Sequence, residues 1–351
     1  MAPASEITLN LQARSRVDLI NVSEMVEDTL RDRHWSVYYS YHTTAGYLDP
    51  DAAAKFRHDS RQVTAYLRSV QRMFPPDAGY YHDRLQLRHE LDEATRLQEP
   101  RNADAHLTYI ACGLSNCVTY ANPGVAPVFF VELDGVGPAG SRTRRTSIVG
   151  YDREVTIQRF PITVPVSGHL IDSVNLKDPQ LGLFAQIQEA VRRLGLLHGR
   201  IDITLEPSEE HAGLTVNEYE TLLMQYDLAE VLRNPLRFVA QRSRHMLEDP
   251  LAIPRKAKGY AKFDFVHLLN ETLDTFQLSG TLVERLLSKF MAYPAARSLR
   301  MKRSLSLLVT ADGRNDFGHI VEGTYQSPIL IQWGRPDRQR RRLQVSVVTF
   351  E

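Results

Sequence analysis

The chain has 351 residues, enough for two domains, and its 43% hydrophobic and 24% charged content can bury a core, which excludes a disordered chain. Its 42 basic residues balance 42 acidic ones, and a formal net charge of zero argues against a nucleic-acid binder, whose affinity needs a net basic face. With two cysteines (Cys112, Cys117), no positively charged apolar leader at the start and no apolar run of about 18 residues, a cytoplasmic protein without disulfides or membrane spans is expected.

Apolar Ile7, Leu9 and Leu11 alternate with Thr8 and Asn10, which predicts a half-buried strand over residues 6–12. Met25, Val26 and Leu30 fall at helical spacing over 22–30, with Ser23 as the expected N-cap. The β-branched and aromatic run at 37–41 predicts a strand, followed by His42-Thr43-Thr44-Ala45-Gly46 as a small-residue turn. Asp49 and Pro50 open a helix with an apolar face of Phe56, Val63, Tyr66, Leu67, Val70 and Phe74 that runs to Pro75. A loop at 77–83 holds Tyr81, His82 and Asp83, and a short charged helix is expected over 87–97. Residues 108–114 read as a strand after Asn102-Ala103-Asp104-Ala105-His106-Leu107, residues 115–127 as a turn, and 128–133 as an apolar strand carrying Glu132. A glycine-rich hairpin loop at 135–140 leads into a last strand through Arg142, Arg144, Arg145 and Val149.

Near residue 150 the order begins again. Strand 155–158 echoes 7–10, a helix ends at Gly195, strand 200–205 follows, and a helix is expected from Asn217. Strands at 328–333 and 343–350 take the places of 128–133 and 142–149, so the pattern predicts a degenerate tandem duplication. Residues 242–258 read as a basic loop or insertion, and 263–291 as helical.

Three histidines of the first half are the candidates for chemistry. His42, His82 and His106 are about 40 and 24 residues apart, which fits neither a zinc finger nor a two-histidine helix, so only the fold could gather them. Imidazole suits Zn²⁺, and three protein ligands leave a position open for water or substrate. Asp83 would be a fourth ligand, an orienting group or a general base. Cys112 would act as a nucleophile only with a base beside it, and Arg142, Arg144 or Arg145 would meet a phosphate. Glu132 is either an inward carboxylate or the outward residue of its strand.

The ordered set His42-Thr43-Thr44-Ala45-Gly46, Tyr81-His82-Asp83, Asn102-Ala103-Asp104-Ala105-His106-Leu107, Gly113-Leu114-Ser115, Phe130-Val131-Glu132-Leu133-Asp134-Gly135 and Arg144-Arg145 resembles the YjbQ-like family, often labelled secondary thiamine-phosphate synthase. The resemblance covers residues 6 to about 151. The family's motif histidine is followed by an Asn-Glu pair, and in the first half that place falls near Pro50-Asp51, so the pair is altered. The second half is similar where the first is not: Asn217-Glu218 resembles the lost pair, and Gly323-Thr324-Tyr325-Gln326 the family's GTWQ segment, whereas Glu209 stands in the histidine's place.

The resemblance implies an α+β fold of two YjbQ-like β-sandwich domains with helices packed on the sheets, residues 1–152 and 153–351, the second with an insertion at about 240–295. The residues themselves set the site expectation: a divalent metal (Zn or Mg/Mn) held by His42, His82 and His106, with catalytic roles for Asp83 and Glu132, to which the resemblance adds Asn217 and Glu218. Thr43, Thr44, Ser115, Arg144 and Arg145 would bind substrate. The expected function is a metal-dependent enzyme acting on a small anionic or phosphorylated metabolite, with trimer-like packing of domains allowed. Two other readings stay open: a non-catalytic binding or assembly protein, and a metal-free enzyme using His42, Asp83 and Cys112.

Overall fold

The computed structural model describes residues 4–122, 126–137, 140–233, 301–311, 315–336 and 338–351. The expectations for 242–258 and 263–291 lie outside the described residues. Packing divides the chain into two compact units: unit 1 is Met1–Ser60, Gly113–Tyr219 and Met301–Glu351, and unit 2 is Arg61–Cys112 and Glu220–Arg300.

In chain order the first elements are β1 (Ser5–Gln12), β2 (Asp18–Asn21), α1 (Val22–Leu30), β3 (Trp35–Ser40), β4 (Ala45–Tyr47), α2 (Pro50–Lys55) and α3 (Ser60–Gln71). Next come α4 (Glu93–Gln98), α5 (Ala103–Cys112), β5 (Cys117–Ala121), β6 (Phe129–Glu132), the hairpin β7 (Val136–Gly137) and β8 (Gly140–Ser141), and β9 (Thr143–Tyr151). Then follow β10 (Glu154–Pro165), β11 (Asp172–Asn175), α6 (Leu183–Arg193), β12 (Gly199–Leu205) and β13 (Ala212–Asn217). A π-helical turn (Leu222–Asp227) runs into α7 (Leu228–Arg233), and β14 (Ser304–Thr310), β15 (His319–Ile320), β16 (Ser327–Gln332) and β17 (Arg340–Phe350) complete the described chain.

Unit 1 is a mixed α+β body of antiparallel sheets. One has the order β1-β9-β3-β5, and another β10-β17-β12-β14-β15. Two smaller sheets read β2-β6-β4 and β11-β16-β13. In both larger sheets the last long strand of its half is central, flanked by the first strand and by the strand after the helix. The alternating burial of β12, apolar residues in and polar ones half out, fixes its register, because a one-residue slip would turn Ile201 and Ile203 to the other face. Helix α6 lays Leu183, Ile187, Ala190 and Val191, spaced for one face, into the core with Ile201, Ile203, Val345 and Val347. Each leucine, isoleucine or valine among them, once fully buried, contributes about 1.5–3 kcal/mol. A second core cluster joins residues of both larger sheets: Val37, Tyr39, Cys117, Val149 and Tyr151 with Leu308, Val348 and Phe350. There the rings of Tyr151 and Phe350 stack with centroids 4.1 Å apart.

Unit 2 contains α3 from Arg61, the 77–83 loop, α4, α5, the π-helical turn and α7. Its buried side chains include Val63, Tyr66, Leu67, Val70, Leu107, Ile110, Leu223 and Val231. The Tyr66 hydroxyl donates to the Cys112 carbonyl at 3.2 Å, tying α3 to the end of α5.

Several local expectations are corrected. Residues 108–114 were expected as a strand but belong largely to helix α5, all ten of whose residues are buried. A helix buried on every side carries no polar stripe, so its period is hidden, and its Thr, Tyr and Ile resemble strand residues. The 115–127 turn contains strand β5, whose five residues pair with β3. The helix from Asp49 breaks in two because Arg57 and His58 take left-handed backbone angles, φ 51° and 52°, with no glycine or proline to signal it. The helix expected over 87–97 is a single turn at Leu85–Leu87 followed by α4, which Asp92 caps by accepting from Thr95 N–H. Asn21, not Ser23, is the N-cap of α1; the Ser23 hydroxyl instead accepts from Val128 N–H at 3.1 Å. Asn217 ends strand β13 rather than starting a helix.

Candidate functional site

The turn after β3 in unit 1 gathers many of the expected residues. His42 leaves the strand, and its Nε2 accepts a hydrogen bond from Arg145 N–H at 2.8 Å. A neutral imidazole accepting at Nε2 carries its proton on Nδ1. Burial, with the nearby charges of Arg144 and Arg142, pulls the pKa of His42 down to about 3. The neighbouring Thr43 and Thr44 are buried.

Arg144 is a strut inside this turn. Its Nε and Nη2 grip the Glu132 carboxylate as a fork, and Nη2 also donates to the Asp134 carbonyl at 3.0 Å and the Thr44 hydroxyl at 3.4 Å. Glu132 is fully buried and also accepts from Asp134 N–H. Arg145 is exposed and lies over the Tyr41 ring, 4.4 Å from its centroid. Ser115 accepts from the Lys302 ammonium, which also pairs with Asp49 at 3.2 Å. Burial, partly offset by Asp49, lowers the Lys302 pKa.

Residues late in the chain hold the same turn. Asn217, fully buried, donates to the Thr43 carbonyl at 3.0 Å, and its own oxygen accepts from Glu218 N–H at 2.9 Å. Gln326 donates to the carbonyls of Ser40 (2.7 Å) and His42 (2.9 Å), while its oxygen accepts from the Tyr39 hydroxyl (2.7 Å) and Gly323 N–H (2.9 Å). A Cβ on Gly323 would lie 1.8 Å from the Tyr41 carbonyl oxygen, so only glycine permits this approach. The Asn217 and Gly323–Gln326 segments therefore sit on the first half's histidine turn.

The other two histidines lie in unit 2. His82 is completely buried and His106 is 1% exposed; their rings meet edge to face with centroids 5.2 Å apart. The Nδ1 of His82 is 3.1 Å from a Glu220 carboxylate oxygen, and its Nε2 is 3.2 Å from the Asn102 amide oxygen. Asp227, also fully buried, accepts from Tyr81 N–H (3.0 Å) and His82 N–H (2.9 Å), which fixes the loop's backbone. Glu220 caps the π-helical turn by accepting from Leu222 and Leu223 N–H. Burial raises the Glu220 carboxyl, but bonds from His82 and these two amides outweigh it and hold it below the usual range. Asp83 caps α5 by accepting from Ala103 N–H at 3.1 Å; burial, against that bond, raises its pKa, and its second oxygen has no partner among the described residues. Cys112 and Cys117 are both free and buried, and burial pushes the Cys117 thiol up to about 12.

Several site residues were given no role of their own in the sequence expectation, Asn102 appearing there only within the His106 motif. Asn102, Glu220 and Asp227 surround His82, and a second carboxylate two places after Glu218 was the signal for Glu220. Lys302 and Tyr39 carried none.

The fold and site define an α+β protein with a buried histidine pair flanked by carboxylates. No family model and no curated protein matches the chain. Solved structures do. One is a YbjQ-like protein of unknown function from Sulfolobus solfataricus P2, at 15% identity, 56% of this chain, 99% of that one and a TM-score of 0.29. A second is a hypothetical protein from Aeropyrum pernix K1, at 14% identity, 55% and 99% coverage and a TM-score of 0.28. A third, an uncharacterized conserved protein of the yjbq/upf0047 family from Clostridium acetobutylicum, stands at 12% identity, 54% and 98% coverage and a TM-score of 0.27. Among the described residues no helix is long and apolar enough to cross a membrane.

Proposed function

We propose that the protein is a metal-dependent enzyme acting on a small anionic or phosphorylated metabolite, with His82 and His106 as metal ligands. One observation carries the reading: two buried imidazoles stand 5.2 Å apart, and a buried carboxylate, Glu220, lies against Nδ1 of one of them. Burying two imidazoles and a carboxylate is costly unless each meets a partner. A carboxylate on one ring nitrogen is the arrangement that orients a histidine toward a metal at the other. The donors fit such an ion: imidazole nitrogens with the Asn102 amide oxygen near Nε2 favour Zn²⁺ or Mn²⁺ over Mg²⁺. A bound divalent ion would supply Lewis-acid polarisation of a phosphoryl or carbonyl oxygen, or a water of lowered pKa.

The protein's own groups have separate tasks in this reading. Glu220 holds the His82 ring, Asp227 holds its backbone, and Asp83, with one oxygen unpartnered among the described residues, accepts or gives a proton. Glu218, two residues before Glu220 in the chain, is the further carboxylate assigned to catalysis. In the same reading the chain is a tandem duplicate with a diverged second copy, supported by the strand order that recurs in unit 1.

The test is metal analysis of purified protein beside His82→Ala and His106→Ala, with circular dichroism to establish that each variant folds. About one equivalent of a transition metal in the wild type, lost in both folded variants, is expected. Equal metal content in all three proteins would remove the reading.

A further inference from the structure

We propose a second, separate anion site in unit 1, one that takes a compact, multiply charged phosphate such as a diphosphate group. A cavity of about 730 Å³ lies where the start of β17 meets the loop between β12 and β13, and its walls carry two carboxylates, Glu209 and Glu210, against five arginines, Arg335, Arg338, Arg340, Arg341 and Arg342. The volume suits a small molecule.

The arginines of this cavity fall into two groups. Arg341 is buried and spends its donors inside the protein, on Gln332, a Glu209 carboxylate oxygen and the carbonyls of Glu210 and Gly334. Arg342 is bound to Glu209 and to the Ser208 hydroxyl. These two shape the wall, and Glu209 balances much of their charge. Arg335, Arg338 and Arg340 are exposed, open on the same cavity, and pair with no carboxylate among the described residues. Three guanidiniums around one cavity repel one another until an anion enters, and each presents the flat donor fork that matches phosphate oxygens in pairs. The floor is closely packed: a Cβ on Gly334 would lie 2.6 Å from that of His211, so the two loops close on each other only through glycine.

The matching place beside β6 and β9 lacks this surplus. There Arg142 pairs with Asp134 at 3.0 Å, Arg144 with Glu132, and Arg145 covers Tyr41. Among the described residues the larger surplus of positive charge therefore lies on the β16–β17 side, and the site does not rest on the histidine reading.

Isothermal titration calorimetry with inorganic pyrophosphate at physiological salt tests it. Saturable binding tighter than about 1 mM is expected. It should weaken by about 10-fold or more in Arg338→Ser/Arg340→Ser, whose side chains are exposed and leave the fold intact, and stay unchanged in Arg142→Ser. No binding to the wild type, or equal binding in the double variant, would overturn the proposal. A single-stranded oligonucleotide that binds and is not displaced by pyrophosphate would also overturn it, in favour of a nucleic-acid face.

Discussion

Arg145 gives its backbone N–H to Nε2 of His42 at 2.8 Å, and Arg342, at the matching place on β17, gives its own to the Glu209 carboxylate at 3.1 Å. The same backbone donor is met by a neutral ring in one place and by an anion in the other. That difference has a consequence in acid. In the unfolded chain His42 titrates near 6.5, whereas burial and the flanking arginines lower the folded value to about 3. Between those values the unfolded state binds the extra proton, so stability is full above about pH 6.5 and falls as pH drops toward 3. The slope due to this one group approaches about 1.4 kcal/mol per pH unit. His42→Gln keeps an acceptor for Arg145 and removes the titration. Urea unfolding at pH 7, 6 and 5 should show a flatter pH dependence for the variant. Parallel curves would mean that His42 is not held neutral by the fold.

Gln326 answers four backbone and side-chain groups at once, on Ser40, His42, Tyr39 and Gly323. Gln326→Leu takes the amide away from the Ser40 and His42 carbonyls and from Gly323 N–H, while the Tyr39 hydroxyl keeps the Val321 carbonyl, at a cost on the order of 3 kcal/mol. Tyr39→Phe removes only one hydroxyl, whose single proton is shared between Gln326 and the Val321 carbonyl, and should cost about 1 kcal/mol. Denaturant midpoints that rank the two variants the other way would show that the amide is not what holds the histidine turn.

Much of this was legible in the residues. The alternation of β1, the Asp49-Pro50 start of α2 and the apolar face of α6 each follow from a period or a cap that acts locally. Helix α5 was not, because burial on all sides erases the polar stripe that marks a helix. The break between α2 and α3 was hidden because Arg57 and His58 adopt left-handed angles that their residue types do not advertise. His82 and His106 stood out as residue types, but their partners did not: Glu220 lies 138 positions from His82, and nothing local links them. Asn217 and Gln326 were found only through resemblance, since a buried amide looks like any surface amide until the carbonyls it serves are known.

Glu132 and Arg144 form a fork-shaped ion pair, with Glu132 fully buried and Arg144 7% exposed. Breaking such a pair leaves an uncompensated charge, at about 3–5 kcal/mol. Arg144→Met should therefore be strongly destabilising, while Glu132→Gln together with Arg144→Met should cost less than the single change. A double-mutant cycle read from chemical denaturation decides this. Additive losses would show that the two side chains are not coupled, and that Arg144 is available to an anionic substrate instead.

Glu220 does two things that one substitution separates. Its oxygens accept from Leu222 and Leu223 N–H, which starts the π-helical turn, and one of them also lies 3.1 Å from Nδ1 of His82. Glu220→Gln keeps a carbonyl oxygen for one of the two helix amides but loses the charge that favours a proton on Nδ1 and so leaves Nε2 unprotonated, the form that binds a metal. If His82 holds a metal, its affinity should fall by about 10- to 100-fold while the helix signal in circular dichroism stays close to wild type. Chelator competition on both proteins measures the first and far-ultraviolet spectra the second. Unchanged metal retention would assign Glu220 to capping alone, because a group that only starts a helix has no route to a metal constant measured on a folded protein.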